Sequence, residues 1–277
     1  PDVMATDKAI ELMTEHRDGP FFLAVGLVRP HVPLVAPASY YEPYPVDEMV
    51  LAEKVTDDQS DIPRAGLTGT SKQRKIEEPI KQKKCLSAYY ASVAFMDAQV
   101  GRLLDALDKL ELREDTIVVF KSDHGWHLGE HDMWQKMSLH EESASIPLCI
   151  SVPGKKPGVS RSLVEQIDLY PTLSDLAGLE LPGHLQGKSL VKVLEDPSAT
   201  VRDAAYTLRS TAHLLRTDKW AYMQYPKGKN EDAGSEELYD MENDSKQFTN
   251  LADDPGHAEV KAELRRQLAG KLASIEN

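Results

Sequence analysis

The sequence predicts an α/β domain followed by a small α+β appendage, on three observations. Short runs rich in β-branched and aromatic residues recur at 21–28, 116–120 and 146–152, each closed by turn residues. Between the first two runs lies a stretch, 85–110, whose apolar side chains recur in steps of three and four. Beyond Asp196 the texture changes to one short strand after another, with a helix only at the end. The expected layout is a mixed, largely parallel sheet flanked by helices over residues 1–195, then an antiparallel subdomain with a terminal helix over 196–277.

In order along the chain, residues 3–17 carry Met4, Ile10, Leu12 and Met13 among charges, an amphipathic helix stopped by Gly19 and Pro20. Residues 21–28 are apolar on both faces, as in a strand covered on both sides. The strand ends at Arg29-Pro-His-Val-Pro33, where the prolines stiffen the loop that holds His31. Residues 36–84 are irregular and proline-rich, a surface excursion of the kind that shapes a substrate mouth. The helix at 85–110 presents Leu86, Tyr89, Val93, Met96, Val100, Leu103, Leu107 and Leu110 as its packing face. Strands follow at 116–120 and 146–152, then helices at 167–177, ended by Gly178, and at 189–194. Four further strands are expected at 204–208, 213–216, 220–225 and 237–239, with a polar turn at 227–234 and a closing helix at 258–275.

Composition narrows the function. The 277 residues are 41% hydrophobic, enough for a sizeable core. The formal charge of -13 excludes a nucleic acid or an anionic membrane surface as the main partner, so an anionic substrate needs a local cationic pocket. No run of apolar residues is long enough to span a membrane. Cys85 and Cys149 make no disulfide framework, and both fall in stretches expected to be buried. The start at Pro1-Asp2-Val3, with neither an initiator Met nor a signal peptide, reads as a piece of something longer.

The chemistry concentrates after the 116–120 strand, in Ser122-Asp-His-Gly-Trp-His-Leu-Gly-Glu-His131 and the following Trp134-Gln-Lys136. Ligands in open α/β sheets bind beyond the carboxyl ends of strands, where Asp123 and His124 suit a divalent cation. The same residues also suit an ordinary turn. This string resembles the second metal-binding motif of the type I sulfatases, most closely that of the iduronate-2-sulfatase group. The resemblance implies an alkaline-phosphatase-like sandwich and hydrolysis of a sulfate ester on a sulfated uronic acid or another sulfated polysaccharide unit. It also implies a periplasmic, extracellular or lysosomal setting. In that pattern Asp123 and His124 are two ligands of a Ca2+, Lys136 contacts the sulfate, and His31 reaches the sulfate or the leaving oxygen. Arg29 is placed to meet a uronate carboxylate, and Trp126 either lines the sugar pocket or packs beneath the loop.

One part of this machinery is missing. The nucleophile of type I sulfatases is a formylglycine made within Cys/Ser-x-Pro-Ser-Arg, and this chain has no such segment; Cys85-Leu-Ser-Ala-Tyr89 lacks the proline and the arginine. The expected partner is therefore the N-terminal part of the same protein, which in this family carries the nucleophile and completes the metal site, and the chain alone is expected to be inactive. Three rivals stand beside this reading. One is a metal-dependent phosphatase or phosphodiesterase on the same scaffold. Another is an inactive binding module. The third is a zinc peptidase built on His127-Leu-Gly-Glu-His131, which needs both histidines one turn apart on a helix that Gly125 and Gly129 disfavour.

Overall fold

The structure, a computed structural model, describes residues 1–227 and 234–276. Its longer helices are α1 (Asp2–Glu15), α2 (Ser71–Arg74), α3 (Pro79–Lys109), α4 (Glu141–Ala144), α5 (Leu169–Leu176), α6 (Val191–Glu195) and α7 (Ala258–Glu276). The strands are β1 (Val118–Lys121), β2 (His127–Leu128), β3 (Trp134–Gln135), β4 (Leu148–Ser151), β5 (Ala204–Arg209), β6 (Ala212–Thr217), β7 (Trp220–Gln224) and β8 (Glu236–Asp240). Two compact units interleave along the chain: one of Pro1–Glu53, Ser71–Lys121 and Leu148–Gly154, the other of Lys54–Thr70, Ser122–Pro147 and Lys155–Asn277.

In the first unit α1 packs on α3, Met13 meeting Ala106 and Leu107 with Ile10, Leu103 and Leu110 around them. Helix α3 begins at Pro79, earlier than the apolar periodicity suggested, because a proline in the first turn costs no helical hydrogen bond. Of its expected face Leu86 and Leu107 are buried, while Tyr89, Val93, Met96 and Val100 are half-buried. Each fully buried leucine contributes about 1.5–3 kcal/mol.

The strand expected at 21–28 is not one. The segment runs outside any ladder of the described residues, with Phe21 and Leu23 against the α1–α3 core and Phe22 83% exposed on the opposite side. A strand exists only where neighbours satisfy its backbone groups, and an apolar run records a taste for cover without naming what supplies it. Strand β1 pairs antiparallel with β4, Val119 opposite Ile150, and both are only half covered. Cys149, expected to be buried there, is exposed; Cys85 is half-buried in α3, where burial raises its thiol pKa.

The second unit is built on the meander β5-β6-β7-β8. Side chains alternate across a sheet, so neighbouring residues serve two cores. Leu214, Met223 and Tyr239 face a cluster with Leu139, whereas Leu215, Tyr222 and Leu238 face Leu264 and Leu268 of α7. Cover on both faces explains why the middles of β7 and β8 are wholly buried. Most of the polar turn expected between those strands, residues 228–233, lies outside the described residues. No helix among the described residues is long and apolar enough to cross a membrane.

Candidate functional site

The candidate metal ligands lie just past β1, in the loop that starts the Ser122–Pro147 segment of the second unit. Asp123 is held in shape by its neighbours: its Oδ1 accepts from the His124 amide at 3.0 Å, and the Ser122 hydroxyl donates to the His124 carbonyl at 2.7 Å. Gly125 is required by close approach. Its N–H donates to the Ser143 carbonyl at 2.9 Å, and a Cβ at this position would lie 2.1 Å from the Glu142 carbonyl oxygen.

The donor pair fits a cation. His124 Nδ1 lies 2.7 Å from the Gly125 carbonyl, so the proton belongs on Nδ1 and the lone pair on Nε2. A backbone carbonyl holding one imidazole nitrogen is the usual support of a metal-binding histidine. That Nε2 sits 3.6 Å from Asp123 Oδ2, and the Asp123 side chain is 80% exposed. Burial alone would push the Asp123 carboxyl up, but the neighbouring His124 ring, the adjoining amides and the Lys136 ammonium together hold it below the usual carboxylate range. The group is thus ionised and open. Two side chains do not complete a coordination shell, and no set of three or more His, Cys, Asp or Glu among the described residues is arranged to hold a metal.

Lys136 follows β3 and is half-buried, near enough to bear on Asp123. Left-handed backbone surrounds it, with φ of 77° at Gln135 and 95° at Met137, and further along the loop 53° at His131 and 54° at Asp132. Such conformations cost about 1–3 kcal/mol each in non-glycine residues and persist only where the surroundings dictate them. The dictating contacts are visible: β2 pairs with β3, Trp134 N–H donates to Gly69 at 3.0 Å, and Met133 bridges to Thr70. Trp126 is half-buried and lies beside the His124 ring, centroids 6.4 Å apart.

The zinc-peptidase geometry is absent. His127 lies in β2, Gly129 has φ 115°, and His131 sits in a 3-10 turn in left-handed conformation, so no helix presents the two imidazoles together. Both are interior. His127 Nε2 pairs with Ser138 Oγ at 2.7 Å and His131 Nδ1 with Asp58 at 3.1 Å, while His140 Nε2 is 3.0 Å from Glu237 Oε2 without hydrogen-bond alignment.

In the first unit, by itself, His31 is exposed on its proline-flanked loop, and its Nδ1 lies 2.7 Å from the Val32 carbonyl. Asp2 accepts from the Val28 and Arg29 amides at 2.9 and 3.1 Å. Arg29 donates from Nε to Val35 O at 2.9 Å and from Nη1 to His31 O at 3.1 Å, which braces the loop from inside. Sequence spacing pointed to none of these supports, nor to Gln166, whose Nε2 donates to the Asp123 carbonyl at 2.5 Å from 43 positions away. A side chain that acts through a distant backbone carbonyl leaves no periodic or motif signal.

Comparison with known proteins agrees with the family that the sequence resembles. The Sulfatase family model matches residues 2–179, and the model described as N-sulphoglucosamine sulphohydrolase, C-terminal, matches 129–274. A sulfatase of Formosa agariphila is 34% identical over 260 residues, which cover 91% of this chain and 50% of that protein. The iduronate 2-sulfatase of Homo sapiens is 35% identical over 285 residues, covering 82% and 50%. Among solved structures, the phosphonate monoester hydrolase of Silicibacter pomeroyi superposes with a TM-score of 0.83 at 26% identity, covering 96% of this chain and 58% of that one. The chain spans about half the length of the curated relatives it matches.

Proposed function

From the premise that this chain belongs to the sulfatase family, with an alkaline-phosphatase-like fold, we propose that it is the C-terminal portion of an enzyme that hydrolyses sulfate esters on a sulfated uronic acid or a related sulfated polysaccharide unit. Family membership implies a divalent metal, and we assign it as Ca2+. The observation that carries the reading is the donor pair: an ionised, open Asp123 carboxylate 3.6 Å from a His124 Nε2 whose ring is fixed by the Gly125 carbonyl. Bound there, the cation would neutralise charge on the sulfate oxygens.

The chain's own residues have separate tasks in this reading. Asp123 and His124 hold the cation; Lys136 supplies a fixed positive charge for the transferring sulfuryl group. His31 serves the leaving oxygen. With Nδ1 turned to the Val32 carbonyl, its Nε2 is the ring nitrogen that can face the leaving oxygen, and a ring protonated on both nitrogens would give its Nε2 proton to the departing alkoxide. Arg29 acts first as the brace of that loop and offers its Nη2 side to a uronate carboxylate, while Trp126 offers a face to the sugar. The nucleophile belongs to the N-terminal part of the protein, since no Cys/Ser-x-Pro-Ser-Arg segment occurs here. Residues 1–195 are proposed as part of the catalytic α/β domain and 196–277 as its antiparallel appendage, supported by the end of the sulfatase match at 179 and the meander from Ala204.

The phosphonate hydrolase likeness keeps a phosphoryl-transfer reading in play, but the two sulfatases, at 34–35% identity, weigh against it. The deciding assay offers the complete protein a 2-O-sulfated uronate disaccharide and a phosphonate monoester. Sulfate release that stops on chelation supports the proposal; turnover of the phosphonate alone overturns it.

A further inference from the structure

We propose that Gln166 is a positioning residue for the cation site: its side-chain amide, carried on a turn clamped by Arg202, fixes the peptide joining Asp123 to His124 and so aims both ligands. The inference rests on reading Asp123 as a metal ligand. Its basis is the 2.5 Å hydrogen bond from Gln166 Nε2 to the Asp123 carbonyl oxygen. That oxygen belongs to the planar unit between the two residues, so its direction sets ψ of Asp123 and φ of His124, and thereby where each side chain leaves the backbone. The bonds that Ser122 and the His124 amide make around Asp123 are local and would move with the loop. Gln166 ties this peptide to an element 43 positions away.

The element is unusually well fixed. Gln166 opens the 3-10 turn 166–168, where Glu165 and Asp168 cap one another reciprocally, the Glu165 amide donating to Asp168 Oδ2 at 2.7 Å. The fully buried Asp168 carboxylate also takes the Lys188 amide at 2.8 Å and both terminal nitrogens of Arg202, Nη2 at 2.6 Å from Oδ1. Glu165 in turn accepts from the Tyr206 amide at 2.8 Å, at the start of the meander. Backbone packs closely as well, since a Cβ at Gly187 would lie 2.0 Å from the Ile167 carbonyl oxygen. The C-terminal sheet is thus connected through Arg202, Asp168 and Gln166 to the peptide that carries the ligands. A pair of ligands on a loop needs such a support to stay within reach of one cation.

Gln166 is exposed, so it can be changed without opening the core. The test is calorimetric titration of Ca2+ alone into the metal-free complete protein as wild type, Gln166→Met and Asp123→Asn, with the melting temperature of each metal-free form. Gln166→Met keeps the length and removes the donor; Ca2+ affinity should fall about 10- to 100-fold, while the metal-free melting temperature moves by less than about 2 °C. Wild-type affinity in Gln166→Met beside a weakened Asp123→Asn overturns the positioning role and leaves the metal reading standing. Wild-type affinity in Asp123→Asn removes the metal reading and this inference with it. A large fall in the metal-free melting temperature of Gln166→Met would make the residue a general support of the fold, which also overturns the proposal.

Discussion

Two kinds of histidine stand within one stretch of this chain. His124 keeps 29% of its side chain exposed, with one ring nitrogen bound to a carbonyl and the other turned toward a carboxylate. His127, His131 and His140 retain 1%, 0% and 0%, and their rings lie 4.9–6.3 Å apart among Asp58, Glu142 and Glu237. The four residues are spaced so that a motif search can enlist any of them as ligands. What separates them is the second partner: an imidazole held by a backbone carbonyl and open at the far nitrogen is set to bind, whereas an imidazole against a buried carboxylate is set to hold the interior together.

The largest expected effect breaks the buried side of this contrast. His140→Ala leaves the Glu237 carboxylate, itself fully buried, without its cationic neighbour. Removing one member of a buried pair costs about 3–5 kcal/mol, a large part of the roughly 5–15 kcal/mol that holds a typical domain. Chemical denaturation of the complete protein should show that loss. Destabilisation below about 1 kcal/mol would mean the pair is not charged in the fold.

The open side should fail in a different currency. Asp123→Asn is expected to weaken Ca2+ binding and lower kcat/KM with little change in metal-free stability, because the residue is exposed; His131→Gln should do the reverse. Equal metal affinities in the two variants would erase the distinction between the groups. Lys136→Ala, which leaves both kinds of histidine intact, should slow the complete enzyme about a hundredfold. A third kind, the exposed His31, sharpens the comparison further: His31→Ala should cost much more with a sugar leaving group than with nitrocatechol, whose oxyanion departs unaided. Equal losses on both substrates would leave His31 as a sulfate contact only.

These contrasts also mark what the sequence discloses. Helices α1 and α7 and the meander strands are legible because a period repeated over many residues reports a buried face. The loop at 122–136 is legible because its residue types are rare together. The apolar run at 21–28 misleads, since it records the demand for neighbours and Phe22 shows that demand unmet. The buried histidines are invisible as a group: His131 finds Asp58 73 positions away, and His140 finds Glu237 across the chain. Non-local pairing carries no spacing signal, and Gln166 went unseen for the same reason.

The smallest expected effect is a pH dependence with two opposed limbs inside the buried group. Burial lowers the His127 pKa well below 6.5, and the charges of His140 and His131 add to it. Burial would lower His140 too, but the carboxylates of Glu237, Glu142 and Asp58 together outweigh burial and raise it. Glu237 is held low by His140 and by tyrosine hydroxyls despite its own burial. Stability rises with pH wherever the unfolded chain binds more protons. Below 6.5 the unfolded His127 takes a proton that the folded one refuses, so stability falls as the pH drops from 6.5 towards the folded value. For His140 the sign reverses: its contribution is complete below 6.5 and is lost as the pH rises through its raised folded value. Glu237 adds stability above its ordinary 4.5 that is lost only as the pH falls through its lowered folded value, so it leaves the region around neutrality flat. Melting temperature against pH should therefore flatten below about 6.5 in His127→Gln and above about 6.5 in His140→Gln. If His127→Gln instead flattens the alkaline limb, the proton in this cluster resides on His127, and the roles assigned to the two imidazoles must be exchanged.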